Sequence, residues 1–490
     1  MDINWHSALM ASLCLVPSLE VIYTPAKFFS YSRKFYPLEY SATHSDLSAG
    51  FCVQKDMLHL IDPVLLEKIS SPEQIVYAND VFFIACVTPP PSERWVYSEE
   101  ARFHEFMRAR SSALLGVSGR NTTPYWRVDK GTADFKVLIV GATNMGNIGD
   151  DLIAMSLGGC LRNAKPDCSL YFSDFRVSRA DLADFDMVVV GGGGIVYASQ
   201  FGLNETDNLS NYFKIPLWAE ELAIPCLVIG VGIQGRKTQF TLDQRVNAFL
   251  SKSLDAASEI VVRDRLSHEV LAPMTSTAIT VMPDLVFNFA AQFPHYKAHF
   301  DRGSARSIAF AGELFSERLS FFSNVLMGTT EDLIGTLGTT DFRYFVMSND
   351  DLRHKDMFVE LLGWKGIECK VHDLRAASLV DILTIFRGTA GLVTTRFHGL
   401  VLSIIAGCPA LSVDLSTGKH AMLVKDYFPS ITRNLINEKC DDSSIAEKFR
   451  LLGEMPQSLL PEVAEVDVVA ADASRYGEVL ARWLTSATAE

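Results

Sequence analysis

The feature that most constrains the fold is a rhythm of short apolar runs separated by helix-like stretches. The first series of runs covers residues 136–140, 187–190, 226–231, 259–262 and 279–282, and a second series covers 307–311, 342–347, 367–371, 392–394 and 410–413. Such alternation is typical of βαβ units around a parallel sheet. The polar stretch 295–306 lies between the two series and predicts a linker. We therefore predict an α/β protein with two Rossmann-like domains.

The residues before the first series of runs have a different pattern of apolar and polar residues. Strand-like runs at 21–23 and 74–77 and an apolar stretch at 81–87 are followed by three prolines and a helix-like stretch at 98–115. We predict a small N-terminal α+β domain of unknown role over residues 1–133. The rest divides into Rossmann-like domains over 134–300 and 301–430 and a C-terminal helical tail over 431–490 that packs on the core, which suits the length of 490 residues.

Composition excludes several function classes. The formal net charge of −14 argues against a nucleic-acid or anionic-lipid partner, because both demand surplus Lys and Arg. Nine cysteines without a Cys-x-x-Cys pair fit a reduced compartment. The sequence has no run of roughly 18 apolar residues, so we predict no transmembrane helix. No basic cluster precedes the apolar stretch 6–22, which argues against a signal peptide there. We expect a cytoplasmic protein, and a homo-oligomer is left open.

A strand that turns directly into a helix carries the strongest candidate site. The apolar run 390–393 leads into Thr-Thr-Arg396-Phe-His398-Gly, and a helix-like run follows. This puts a cation and an imidazole at the carboxyl end of a sheet, where open α/β proteins bind ligands. Lys419 follows the next apolar run. Arg396, His398 and Lys419 can converge on a small anion with more than one negative charge. The alternative is an exposed arginine and a core histidine.

Two glycine-rich loops follow strands of the first series. Asn147, Gly149 and Asp150 stand between the first strand and a helix, where the glycine allows close approach of a ligand and the polar side chains can bind hydroxyl groups. In the alternative reading, Asp150 is only a helix N-cap. Gly192 and Gly193 lie within four glycines after a buried strand, so a ligand or a neighbouring loop must need the bare backbone there. Neither loop matches GxGxxG, which disfavours a dinucleotide.

Further ionisable residues follow other strands. Arg236 ends a Gly-Val-Gly-containing junction and is an extra cation. Arg263 and Asp264 end the next strand three residues before Ser267, with a salt bridge at a helix start as the alternative reading. Pro283 and Asp284 close the strand after that.

In this order and spacing, the motifs resemble those of the polysaccharide pyruvyl transferase family. The motifs are Asn147-x-Gly149-Asp150, Val190-Gly-Gly-Gly-Gly194, Gly230-Val-Gly232, Val262-Arg263-Asp264-x-x-Ser267, Pro283-Asp284 and Arg396-Phe-His398 with Pro409 and Lys419. The resemblance spans residues 136–427. It implies a GT-B-like pair of Rossmann-like domains and transfer of the enolpyruvyl carbons of phosphoenolpyruvate onto a sugar, which gives a pyruvate ketal and free phosphate.

The resemblance also implies roles for residues. It gives catalytic roles to Arg396 and His398, donor binding to Arg396, Lys419 and Arg263, with Arg236 as a further cation, and acceptor binding to Asn147, Gly149, Asp150, Gly192 and Gly193. Fixed cations suit phosphoenolpyruvate because it carries a carboxylate and a phosphate. An imidazole suits the two proton transfers of ketal formation. We expect no metal and no cofactor besides phosphoenolpyruvate as donor substrate, and a sugar or glycan-lipid acceptor.

Departures from the family pattern leave other functions open. Residues 414–418 read Asp-Leu-Ser-Thr-Gly where an aromatic residue is expected, and His420 follows Lys419 directly. One alternative is a GT-B glycosyltransferase that uses a nucleotide sugar, with Glu313 or Asp373 as the ribose-binding carboxylate. The other is a non-catalytic module that binds an anion.

Overall fold

The structure is a computed structural model that describes most of the chain from residue 135 onward and isolated strands before it. The described residues are 21–24, 35–37, 49–54, 75–78, 82–86, 125–127, 135–142, 146–173, 175, 177–197, 208–233, 244–297, 307–315, 322–323, 326, 341–375, 377–414 and 418–486. The chain divides into two compact units, residues 1–122 and 123–490.

The first unit contains a five-stranded mixed sheet of order β2-β1-β3-β5-β4. Its strands are β1 (Val21–Thr24), β2 (Phe35–Pro37), β3 (Ala49–Gln54), β4 (Ile75–Ala78) and β5 (Phe82–Cys86). β1 is parallel to both β2 and β3, whereas β5 is antiparallel to β3 and β4. The strand-like runs at 21–23, 74–77 and 81–87 correspond to β1, β4 and β5, and the predicted helix at 98–115 lies outside the described residues.

The second unit begins with a seven-stranded sheet of order β12-β11-β10-β9-β7-β8-β6. Its strands are β6 (Tyr125–Arg127), β7 (Lys136–Val140), β8 (Ser169–Ser173), β9 (Met187–Val196), β10 (Cys226–Ile233), β11 (Glu259–Val262) and β12 (Ile279–Val281). Only the pairing of β6 with β8 is antiparallel among the described strands of this sheet. The helices of this first α/β domain are α1 (Ile148–Ala164), α2 (Arg179–Leu182), α3 (Asn208–Glu221), α4 (Gln244–Asp255), α5 (Arg265–Leu271) and α6 (Asn288–Gln292).

The continuous apolar runs arise because the sheet is covered on both faces. Along β9, Met187 and Val189 belong to one buried cluster, whereas Val188 and Val190 belong to the other. Successive side chains point to opposite faces of a strand, so both faces of β9 contact apolar layers.

A second sheet of six parallel strands has the order β15-β14-β13-β16-β17-β18. Its strands are β13 (Ile308–Ala311), β14 (Phe342–Val346), β15 (Cys369–Asp373), β16 (Gly391–Thr394), β17 (Ala410–Val413) and β18 (Leu435–Ile436). The helices of this second α/β domain are α7 (Asp351–Gly363), α8 (Leu379–Arg387), α9 (Phe397–Ala406) and α10 (Lys419–Tyr427). The predicted fold class of two Rossmann-like domains after a small N-terminal region is confirmed.

One predicted strand is shifted. The run 367–371 predicted a strand, but β15 occupies Cys369–Asp373. The N–H of Ile367 bonds to the carbonyl of Leu362 and closes the turn after α7. β15 is an edge strand with side chains that are partly or largely exposed, so apolar content did not mark its end.

The chain ends in three helices, α11 (Asp442–Glu454), α12 (Val463–Ser474) and α13 (Tyr476–Ser486). α12 packs on α6, and α13 packs on α1, so both contact the first α/β domain. The buried Tyr476 hydroxyl donates to the carbonyl of Pro283 at 3.0 Å. In the part of the chain that the structure describes, no helix has the length and apolar character needed to span a membrane.

Candidate active site

The two α/β domains meet at the amino-terminal end of α1. The N–H of Ile148 donates to the carbonyl of Met347, and the N–H of Asn349 donates to the carbonyl of Gly146, each at 3.0 Å. Gly146 has a φ of +74°, and a Cβ there would lie 2.3 Å from the Asn349 amide. The first turn of α1 is therefore held against the carboxyl end of the second sheet.

Asn147 is the N-cap of α1. Its side-chain oxygen accepts from the N–H of Gly149 at 3.1 Å, and its Nδ2 donates to Oδ2 of Asp150 at 2.7 Å. The alternative reading of Asp150 as the N-cap is wrong, because Asn147 holds that position. Asp150 lies in the first turn, where the positive end of the helix dipole favours a carboxylate.

Asp284 joins a cation from the first domain to the imidazole from the second. Oδ2 of Asp284 lies 3.1 Å from Nη1 of Arg263 and 3.5 Å from Nε2 of His398. The three residues are deeply buried, with Asp284 1%, Arg263 4% and His398 8% exposed. Burial alone would raise the pKa of Asp284, but the interactions with His398, then Arg263, lower it to about 2. Asp284 is therefore an anion throughout the physiological range.

Arg263 has a second contact in the other domain and a donor that is not used. Its guanidinium lies 4.4 Å from the ring centroid of Phe397, a cation–π contact. Its Nε is buried without a hydrogen-bond partner among the described residues, although Asp264 lies 3.7 Å away. A buried charged donor without a partner is costly. An acceptor supplied by a ligand would remove this cost.

Two glycines of the first domain provide the space for these side chains. A Cβ on Gly149 would lie 1.9 Å from Nδ1 of His398, and a Cβ on Gly232 would lie 2.3 Å from Nε of Arg263. Any larger residue at either position must displace the side chain that it faces. Gly149, predicted to bind the acceptor, is thus in direct contact with His398.

Asp150 and Lys419 complete the charged cluster. Burial raises the pKa of Asp150, against the lowering effect of the charges of His398, Arg263 and Lys419. Burial, with the charge of Arg263, lowers the pKa of Lys419 to about 7, while Asp150 acts in the opposite direction. The charges of Asp150 and Lys419 thus interact with each other and with that of Arg263, which shares Asp284 with His398. We call Asp150, Arg263, Asp284, His398 and Lys419 the interdomain cluster.

The glycine run at the end of β9 makes room for α1. Gly192 and Gly193 have φ values of +80° and +81°, a region that favours glycine. A Cβ on Gly192 would lie 1.8 Å from Cγ2 of Ile153, and one on Gly193 would lie 3.0 Å from Oδ1 of Asp150. The close neighbour of this backbone is a helix, so the glycines set how deeply α1 and Asp150 are seated.

Arg396 lies among carboxylates. Its Nε and Nη2 lie 2.7 and 2.6 Å from Oδ1 of Asp351, and Glu313 and Asp350 each lie 3.7 Å from the guanidinium. Burial would lower the pKa of Arg396, but Asp351, Glu313 and Asp350 raise it. Within the described residues, Arg396 makes no direct contact with the interdomain cluster. Its charge is compensated locally.

Polar residues next to Lys419 in the sequence and at the end of β17 contact one another. The carboxylate of Asp414 accepts from the N–H of Ala421 at 3.1 Å, near the start of α10. Nδ1 of His420 pairs with Oγ of Ser412. Burial, then the charges of Lys419, His398 and Arg263, lowers the pKa of His420 to about 3, so this imidazole is neutral.

The remaining predicted residues have different outcomes. Arg236 and residues 415–417 lie outside the described residues. Asp264 caps α5 by accepting from the N–H of Ser267 at 2.7 Å. It also lies 3.7 Å from Nε of Arg263, which is the salt bridge at a helix start that the alternative reading proposed. Asp284 was noted in the sequence without a role. Its position after a strand, like that of Arg263, was the signal that could have identified it. No group of three or more potential metal ligands occurs among the described residues.

Comparison with known proteins identifies the family. The model of the polysaccharide pyruvyl transferase family matches residues 147–417, which is more than half of the chain. The chain belongs to the polysaccharide pyruvyl transferase family and is therefore a transferase. The matched region includes every residue of the interdomain cluster except Lys419.

Other comparisons find distant likeness. No curated protein matches the chain. Anabaena HepE in complex with UDP and glucose is 10% identical, with 72% of this chain and 100% of that chain covered and a TM-score of 0.44. S. aureus MnaA with UDP is 12% identical, with 70% and 94% covered and a TM-score of 0.45. UDP-GlcNAc 2-epimerase from Methanocaldococcus jannaschii is 10% identical, with 70% and 99% covered and a TM-score of 0.45. Membership of the family is shown by the family match.

Proposed function

We propose that the interdomain cluster binds phosphoenolpyruvate and transfers its pyruvate unit to a hydroxylated, sugar-containing acceptor, with formation of a pyruvate ketal and release of phosphate. The observation that carries the proposal is the buried Nε of Arg263, which has no hydrogen-bond partner among the described residues. Nη1 of the same guanidinium shares Oδ2 of Asp284 with His398, and the charge of Arg263 lowers the pKa of Lys419. Arginine and lysine fit the two anionic groups of phosphoenolpyruvate. Their charge can take the place of a metal ion.

The reaction needs protons to move in two directions. One acceptor hydroxyl loses its proton as its oxygen bonds to C2 of phosphoenolpyruvate, and the methylene carbon gains a proton as the C2=C3 double bond becomes single. The second hydroxyl oxygen then replaces phosphate at C2, and the proton that it loses leaves with the phosphate. We assign these transfers to His398, with Arg263 and Lys419 holding the donor and compensating the charge of the leaving phosphate. Asp150, at the start of α1, faces the acceptor side.

In the alternative of a nucleotide-sugar donor, Glu313 or Asp373 would bind the ribose, and each of these carboxylates contacts an arginine. Glu313 lies 3.7 Å from Arg396. Asp373 pairs with Nε of Arg375 at 2.9 Å and accepts from the backbone N–H of Arg375 at 3.1 Å. Each carboxylate thus already has an arginine partner, whereas Nε of Arg263 in the interdomain cluster has no acceptor among the described residues.

Turnover tests the proposal. Incubating the full chain with phosphoenolpyruvate and a panel of free sugars, glycans and glycan-lipids should release phosphate with one acceptor, and the product should gain one pyruvate unit by mass. Nucleotide sugars in place of phosphoenolpyruvate should give no product. Glycosyl transfer from a nucleotide sugar, with phosphoenolpyruvate inert throughout the panel, would refute the proposal.

Phosphoenolpyruvate affinity should fall as the pH rises through about 7, since Lys419 has its pKa lowered to about 7 and only the charged ammonium attracts the donor. By linkage, binding the donor should raise this pKa, so binding near neutral pH should take up protons. Calorimetry in buffers of different ionisation enthalpy measures this uptake. In Lys419→Met the affinity should be weaker and the proton uptake from this group lost. An unchanged uptake in the variant would remove Lys419 from the donor site.

A further inference from the structure

We propose that Asp284 is a positioning residue, which fixes the tautomer and orientation of His398 and ties this imidazole to Arg263. The inference rests on the proposed function, because it concerns the groups assigned to donor binding and proton transfer. It adds that the imidazole of the second domain is organised by a carboxylate of the first, so the site is complete only with the two domains in contact.

Both oxygens of Asp284 have defined neighbours. Oδ1 accepts from the backbone N–H of Val286 at 3.1 Å, which fixes the plane of the carboxylate. Oδ2 faces Nη1 of Arg263 at 3.1 Å and Nε2 of His398 at 3.5 Å. With Asp284 only 1% exposed, water does not compete for these contacts. One oxygen atom thus connects the guanidinium to the imidazole.

This arrangement determines which nitrogen of His398 carries the proton. An ionised carboxylate only accepts hydrogen bonds, so Nε2 of His398 must be the protonated nitrogen in the neutral ring. Nδ1, next to Gly149, is then the nitrogen that accepts or returns a proton during the reaction. At 3.5 Å, Nε2 of His398 has no hydrogen-bond partner among the described residues, and contacts of this kind tighten when substrate binds.

The backbone that carries Asp284 is held from the C-terminal helices. The carbonyl of Pro283 accepts from the buried hydroxyl of Tyr476 at 3.0 Å. The Arg263 guanidinium also lies over Phe397, the residue before His398. Asp284 is therefore fixed by its own domain, by the end of the chain and by both of its charged partners.

Asp284→Asn tests the role by replacing a single heavy atom, one carboxylate oxygen, with an amide nitrogen. If the amide oxygen keeps the Val286 N–H, the amide NH₂ replaces Oδ2 and faces the donors of Arg263 and His398. The imidazole can meet this NH₂ only by turning Nε2 into an acceptor, which moves the proton to Nδ1. A wrongly placed proton of this kind disables a catalytic imidazole without removing it.

The direct readout is ¹⁵N NMR of the full chain labelled in histidine, with the His398 signals assigned by their loss in His398→Gln. In the unsubstituted protein the neutral His398 ring should be the Nε2–H tautomer, and in Asp284→Asn it should shift toward Nδ1–H. Asp264→Asn is the matched control. It removes the other carboxylate near Arg263 while asparagine keeps the cap of α5, and it should leave the tautomer unchanged.

The kinetic readout separates positioning from general damage. In Asp284→Asn, kcat for phosphate release should fall by about 10²-fold or more, and KM for phosphoenolpyruvate should rise less than kcat falls. An Nδ1–H tautomer in the unsubstituted protein would overturn the inference even if the variant fails to fold. A folded variant with unchanged tautomer and kcat would overturn it as well. A tautomer shift in a protein that never turns over phosphoenolpyruvate would instead refute the proposed function and leave the coupling of Asp284 to His398 standing.

Discussion

Replacing His398 with glutamine is expected to lower kcat for phosphate release from phosphoenolpyruvate by about 10²–10⁴-fold, the usual contribution of a general acid–base group. His398 lies in the first turn of α9 and faces Asp284 of the first domain. Glutamine retains a polar group of similar reach but does not exchange a proton near neutral pH. The loss should therefore appear in kcat, while binding of phosphoenolpyruvate through Arg263 and Lys419 is largely kept.

The matched control for this variant is His295→Gln. The His295 ring stacks on Phe293 and lies 3.3 Å from Arg387, outside the interdomain cluster. Steady-state phosphate release, with thermal unfolding to compare stability, should separate the two variants by at least about 10²-fold in kcat. Equal phosphate release by both variants would remove His398 from the chemistry.

Gly149→Ala is expected to reduce kcat by about 10²-fold, although glycine supplies no chemistry. A Cβ at this position would lie 1.9 Å from Nδ1 of His398, so the imidazole must move by an ångström or more. Displacement of a catalytic group on that scale costs about 10²-fold in rate. Because Asp284 lies 3.5 Å from Nε2, on the other side of the ring, the imidazole cannot move straight away from the methyl group and must rotate, which changes its contact with Asp284.

The same helix offers the matched control. Gly159 also lies in α1. Apart from its chain neighbours and the backbone of the helix itself, no described atom would lie within 4 Å of a Cβ there. Gly159→Ala should keep full activity and stabilise the protein by up to about 1 kcal/mol, because alanine is the better helix former. Phosphate release and the midpoint of thermal unfolding check both variants. A fully active Gly149→Ala enzyme would show that the position of His398 does not limit the reaction.

The sequence was sufficient to predict the two sheets because their strands are buried on both faces. Such strands appear as continuous apolar runs, and nine of the ten predicted runs overlap their strands without the displacement found for β15. That edge strand has partly exposed side chains, so its apolar content is not diagnostic. The short strands β2 and β6 are each three residues long and carry no comparable run.

The site was harder to predict, because strand order in the sequence does not say which side chains meet. Arg396 and His398 are two residues apart, yet the first contacts Asp351 and the second faces Asp284. A helix starts between them, so their side chains diverge. Arg263 lies more than a hundred residues earlier in the sequence, yet it shares the carboxylate of Asp284 with His398, whereas Arg396 contacts Asp351.

The roles of the glycines also depend on tertiary contacts. A sequence shows that a bare backbone is needed but not which group approaches it. Gly192 faces Ile153, Gly149 faces His398 and Gly232 faces Arg263. The glycine-rich motifs thus serve partly to admit catalytic and structural side chains from neighbouring elements.

The central claim is that the interdomain cluster binds phosphoenolpyruvate, and ligand-dependent thermal unfolding of the full chain tests it without knowledge of the acceptor. A ligand at about 100 times its Kd stabilises the folded state by about 2.7 kcal/mol. Phosphoenolpyruvate should raise the unfolding midpoint in a concentration-dependent way, whereas UDP and GDP should leave it unchanged. Stabilisation by UDP or GDP with no effect of phosphoenolpyruvate would contradict the account.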